Sequence, residues 1–311
     1  STARAPITST NRAAELVARY VGIPTAFAFS PHQVFMSDGT LNPLGIGGVY
    51  VLKHGQARRL AHSPPFAFGL AWRNRTLFIS AGRELLAWRG WTGRKFLRRR
   101  TIYRAPAGFT GFTGLAFGPN GRLYVGVAKG NGNGPSSGTS PYSYDILSMT
   151  TDGAQVGIEA QGIREPWQLA FPAGSISPLV TDLGQISGAR PAPDLLLRVR
   201  RGQNYGFPTC NWAQTSLCRG FARPIRLFAA HSDPMGLAVV GQRLYLSEFG
   251  VRTPARVISL PLSGVGGPHV ALSGFSGQRH IEGLGADGGW IYVGETAAGR
   301  KRPGSVWRFR P

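Results

Sequence analysis

Four acidic residues, Asp38, Asp182, Glu248 and Glu295, each close a short apolar or aromatic run. If those runs are strands that end on one face, their carboxylates could gather around calcium, a hard cation bound through oxygen. The same acids could instead cap their strands or pair with arginines such as Arg252, Arg279 or Arg300. The six histidines, His32, His54, His62, His231, His269 and His280, lack the spacing of metal ligands. His231 and His280 precede repeated phrases, so either could reach a functional face as a general base. The two cysteines flank "CNWAQTSLC" (210–218) with no histidine set for zinc, which predicts a Cys210–Cys218 disulfide and an oxidising compartment. Trp212, inside that loop, is the aromatic best placed to meet a ligand. Trp88, Trp91 and Trp167 read as packing between units. "GNGNGPSSG" (130–138) has no helix after it and is no phosphate cradle.

The elements that must position these residues repeat. "AFAFSPHQVFMSD" begins at Ala26, and related phrases begin at Gly69, Gly114, Gln168, Gly236 and Gly283. A small apolar strand, a Gly/Pro/Asn turn and an aromatic or β-branched strand recur with a period near 45 residues. This predicts an all-β fold, a six-bladed β-propeller of four-stranded antiparallel blades forming one domain over residues 1–311. The last blade lacks an outer strand, and "AAELVARYVG" (13–22) is expected to supply it and remove an open edge. Residues 1–12 are expected to be an extended lead, and 202–234 a long insert carrying the cysteines. Inserts on a rigid scaffold are where function tends to sit.

Charge excludes less than it first suggests. The formal net charge is +21, with lysine only at Lys53, Lys95, Lys129 and Lys301. The arginines are spread along the chain, and the densest run, "GRKFLRRRTIYR" (93–104), reads as an outer strand with a solvated face. No nucleic-acid motif accompanies it, so salt-dependent adhesion to polyanions is expected rather than specific recognition. No stretch is long and apolar enough to form a membrane-spanning helix. The polar start "STARAPITSTNR" resembles a trimmed secreted or lipid-tethered chain, which would place the protein outside the cell or in the periplasm.

From about residue 160 the sequence resembles the soluble glucose/sorbosone dehydrogenase family. "GIREPWQLAF" (162–171), "PAPDLLLRVRRGQNYGFPTC" (191–210), "HSDPMGLAV" (231–239) and "QRHIEGLGADGGWIYVGE" (278–295) carry the resemblance, and "FGPNGRLYVGV" (117–127) fits the preceding blade. It implies a six-bladed fold and oxidation of a sugar or other alcohol with pyrroloquinoline quinone and calcium, a hydride passing to the quinone while a base takes a proton. The family's catalytic histidine would fall near Phe109 and Thr110, neither of which is a base. The expected Arg-Asn pair is Arg164-Glu165, the acid expected after Asp194 is Leu195, and the histidine before Gly250 is Phe249. Arg164, Arg252 and Arg279 remain as cations for a quinone carboxylate. Two further readings stand beside it: a non-catalytic propeller that binds a carbohydrate or a protein, and a calcium-dependent lactonase or other hydrolase.

Overall fold

Short alternating runs broken by Gly, Pro and Asn favour strands over helices. The computed structural model of the chain describes residues 5–20, 22–40, 46–128, 141–185, 191–251, 253–275, 279–297 and 304–311. Among the described residues it holds 26 strands and one short 3-10 turn, Thr215–Cys218. The stretch 130–138, Arg252 and Arg300 lie outside the described residues.

Each repeated phrase forms an antiparallel strand pair. The inner strands are Pro24–Ser30, Leu70–Arg73, Phe112–Phe117, Pro166–Ala170, Pro234–Val240 and Arg279–Asp287. Each touches the next, and the last touches the first, so they ring an axis. The face where the second strands end, at Asp38, Ala81, Val127, Asp182, Glu248 and Ala297, is called the upper face here. The hairpin turns that join inner and second strands lie on the lower face.

The glycines and hydroxyls of the phrase hold this ring together through main-chain contact. A Cβ on Gly236 would lie 2.3 Å from Glu282 O, and one on Gly114 would lie 2.8 Å from Gln168 Cα of the next inner strand. Gly69 and Gly283 press against residues 113–115 and Thr25 in the same way. The second strand adds a hydroxyl just before its upper end. Ser37 donates to Phe68 O at 2.6 Å, Ser80 to Thr113 O at 2.6 Å and Thr181 to Met235 O at 2.8 Å. Ser247 donates to Glu282 O and accepts the N–H of Gly236 at 2.7 Å. Ser247→Ala strands both buried groups and should cost about 1–3 kcal/mol. A fall in urea midpoint at constant m-value would measure it.

The two ends of the chain meet in one sheet. Glu15–Tyr20 pairs antiparallel with Gly304–Phe309, in the register Glu15 with Arg308 and Ala18 with Val306, and touches Gly55–Arg59 in parallel at Ala18 and Arg19. The described part of the lead is tied down. Ile7–Thr8 forms a short strand on His269–Ser273, held by bonds from Thr8 N to Arg12 O and from Ala14 N to Pro6 O. Thr8 and Ala14 are buried there.

The insert folds back onto its sheet. Cys210 and Cys218 are bonded, with Cα atoms 5.0 Å apart. Trp212 is not an exposed platform: it packs with Tyr205, Leu195 and the cysteines, and its Nε1 donates to Tyr205 O at 3.1 Å. A short covalent loop leaves the indole nowhere to go but the core beneath it.

Candidate functional site at the channel mouth

The residue just before each phrase sits at the upper end of the inner ring: Thr25, Phe68, Thr113, Trp167, Met235 and Glu282. Phe68 and Trp167 come from inner strands two places apart and meet edge to face, with centroids 4.7 Å apart. Gln168 stands where the other phrases carry Gly or Ala. It accepts the N–H of Leu237 at 2.8 Å and donates to Leu284 O at 3.3 Å, tying three inner strands together.

Carboxyls surround this mouth. Glu282 is buried, and its pKa is pushed up to about 8, first by burial and then by the charge of Asp38. Asp38 is raised to about 6 by burial, although Thr40 N donates to it at 2.6 Å. Asp182 is raised to about 7 by burial, against the N–H groups of Glu165 and Arg164. Burial also raises Asp194, partly offset by bonds from Gly184 N and Asp233 N and by the nearby His231.

Outside the arginines, the buried polar atoms on this face with no hydrogen-bond partner among the described residues are Asp38 Oδ2, Thr113 Oγ1, Trp167 Nε1 and His231 Nε2. Buried polar atoms are almost always satisfied, so orphans on one face mark a place where something else can bind.

The residues expected from the sequence are distributed differently. The four acids at the strand ends do not meet: among the described residues no group of three His, Cys, Asp or Glu could hold a metal ion. They close strands on different sides of the ring, and each is engaged locally. Asp38 binds Thr40 and Asp182 binds Glu165, while Glu248 is ion-paired with Arg256. Glu295 accepts from Trp307 Nε1 at 2.7 Å and lies 3.1 Å from Arg279 Nη1. Arg164 is buried, and its Nη1 donates to Leu183 O and Gly184 O, each at 2.8 Å. Burial lowers its pKa. His280 stacks on Phe249 at 4.4 Å, with Nδ1 3.3 Å from Phe249 O. Phe109 packs on Phe112, and the Thr110 hydroxyl donates to Ala128 O. Glu282 and the exposed side of Trp167 were not singled out by sequence. The signal available for Glu282 was a carboxylate at a ring position where the other units carry Thr, Phe, Trp or Met.

No family description matches the chain, and no curated protein matches it. Solved structures do. The PQQ-bound aldose sugar dehydrogenase from Streptomyces coelicolor is 18% identical with a TM-score of 0.74, over 94% of this chain and 96% of that one. The apo soluble aldose sugar dehydrogenase from Escherichia coli is 16% identical with a TM-score of 0.71, over 96% and 99%. This chain has the β-propeller fold of the soluble aldose sugar dehydrogenases. A predicted gluconolactonase is also similar, 16% identical with a TM-score of 0.60 over 99% and 98% of the two chains. At these identities the likeness is one of fold, and chemistry must be argued from the site.

The dehydrogenase fold raises the question of pyrroloquinoline quinone, a tricarboxylate. The residues present do not fit it. Arg164 is turned into two backbone carbonyls and Arg279 onto Glu295, while the mouth presents the carboxyls of Asp38 and Glu282. Bringing three more carboxylates to buried acids would be repulsive. A neutral ligand meets no such penalty.

Proposed function

We propose that the upper face binds a small neutral polyhydroxyl compound, a sugar or alcohol, at the mouth of a six-bladed propeller closed by Glu15–Tyr20. The orphaned polar atoms on the same face as the Phe68–Trp167 pair carry this reading, because sugars are held by aromatic surface flanked by hydrogen-bonding groups. The likeness to aldose sugar dehydrogenases supports the same ligand class, and the disulfide supports an extracytoplasmic setting. Aldoses at millimolar concentration should change the tryptophan fluorescence, and Trp167→Ala should weaken binding up to about tenfold. No response to any aldose or polyol would overturn the proposal.

Quinone-dependent oxidation is the second reading, favoured by the fold likeness to a PQQ-bound aldose sugar dehydrogenase rather than by the orientation of Arg164 and Arg279. With quinone and calcium supplied, dye reduction by glucose is expected to stay at trace level, since a missing positioned base costs ~10²–10⁴ in rate. Sustained reduction would transfer the proposal to sugar oxidation, with His231 the first base to test by His231→Asn. A calcium requirement without quinone would favour the lactonase reading. If none of these ligands binds, a protein partner on the same face is the remaining alternative.

A further inference from the structure

The lower face carries a row of arginines. The register of the second sheet, formed by Leu70–Arg73, Thr76–Ala81, Glu84–Trp91 and Phe96–Arg104, places Arg73 opposite Thr76, Thr76 opposite Arg89, and Arg89 opposite Arg98. Residues directly opposite one another share a side of the sheet, so one row across four strands reads Arg, Thr, Arg, Arg. That side also bears Phe78 and Ala87, which pack toward the third sheet. Arg73, Asn74, Arg75, Thr76 and Arg89 line a cavity with Thr151 of the third sheet. Like charges directly opposite destabilise a strand pair, yet Arg89 and Arg98 are paired this way.

Two observations indicate that these cations are held in place for a ligand. Arg73 lies over the Phe117 ring, 5.0 Å from its centroid, which restrains the guanidinium at the cavity wall. Arg75 occupies the turn with φ 58°, after Asn74 at φ 47°. Left-handed pairs of this kind favour Gly or Asn, and the equivalent turn of the last sheet carries Gly288 and Gly289. An arginine here is conformationally costly and sets a third guanidinium on the cavity. Among the described residues, none of Arg73, Arg75, Arg89 or Arg98 forms an ion pair with an acid. Asp152, next in sequence to the cavity residue Thr151, is engaged by the Thr150 hydroxyl and Ala154 N, and the charge it feels is that of Arg100.

We propose that this cavity is a binding site for a tetrahedral oxyanion, a phosphate or sulfate group, held by Arg73, Arg75 and Arg89 with the amide of Asn74 and the hydroxyl of Thr151. Guanidinium forks match such oxyanions, and bonds to charged groups are among the stronger ones a surface can offer. The site is separate from the channel mouth and does not rest on the sugar reading.

Calorimetry and thermal melting with inorganic phosphate and inorganic sulfate, against chloride at equal ionic strength, test it. Both oxyanions should bind at one per chain and raise the melting temperature, and chloride should not. Arg89→Gln and Arg75→Asn, the latter keeping the left-handed turn, should each weaken phosphate binding roughly tenfold or more. Arg19→Gln removes the same charge from an exposed strand elsewhere and should leave binding unchanged. Equal stabilisation by chloride, or equal loss in all three variants, would overturn the site in favour of diffuse charge screening. Glucose 6-phosphate and a sulfated disaccharide then separate the sources. Displacement of phosphate by the first, unaffected by Arg98→Gln, indicates a small metabolite, and displacement by the second that needs Arg98 indicates a sulfated chain running along the row.

Discussion

Removing residues 1–22 should destabilise the protein by roughly 5 kcal/mol, a large share of the ~5–15 kcal/mol by which folded domains exceed their unfolded chains. Glu15–Tyr20 is the strand through which the first and last parts of the chain share a sheet. Ala18 is fully buried in a cluster that includes Phe27, Met36 and Tyr50 from one side and Tyr292 and Val306 from the other. Arg308 reaches across to Glu15 with Nη2 2.8 Å from Oε2, a contact exposed enough to add little. The loss would come from main-chain bonds and apolar burial, and it would open the Gly304–Phe309 edge to association. Urea unfolding and size-exclusion chromatography of the shortened chain measure both effects. A truncated chain that melts with the parent and stays monomeric would mean that the ring holds without this strand.

Stability should fall as pH rises from about 4 to about 8, and Glu282→Gln should remove much of that fall. Glu282, Asp182, Asp38 and Asp145 have pKa values raised to about 8, 7, 6 and 6, each mainly by burial. An acid raised on folding binds its proton more tightly in the folded state. Its contribution is therefore fully present below the unfolded value near 4 and is lost as pH climbs through the folded value. Glu282 is the most displaced, and its neutralisation also relieves Asp38. At pH 8 to 9 the Gln variant should be the more stable by an amount on the order of a few kcal/mol, and near pH 4 the two should converge. Thermal melts across this range decide it. A parent protein that stabilises steadily toward pH 9 would show that Glu282 is hydrated and ionised in the fold.

The positions that sequence revealed are those dictated by the main chain. Gly69, Gly114, Gly236 and Gly283 recur because a neighbouring inner strand leaves no space for a Cβ, and Ser37, Ser80, Thr181 and Ser247 recur because each meets a carbonyl of the next unit. The site was less legible because its side-chain directions depend on distant partners. Arg164 is aimed by the carbonyls of Leu183 and Gly184, about twenty positions away, rather than toward the mouth. Trp212 is drawn inward by Tyr205 O, and Trp167 meets Phe68 across nearly a hundred residues. No local pattern encodes such meetings. Ile7–Thr8 was hidden for a simpler reason, being too short to show alternation.

The interlock of glycine and hydroxyl against backbone has a consequence for how such a chain can change over generations. Because neighbouring units recognise each other largely through main-chain atoms, a handful of small residues carries much of the ring's specification. The remaining positions need only keep volume and polarity, so replacement can run through most of the sequence while the scaffold persists. A chain sharing 18% of its residues with a sugar dehydrogenase while matching it at a TM-score of 0.74 is what such an architecture permits. Upper-face side chains such as Phe68, Trp167 and Glu282 lie outside that interlock. They are free to exchange one ligand for another, and selection on the fold would not register the exchange.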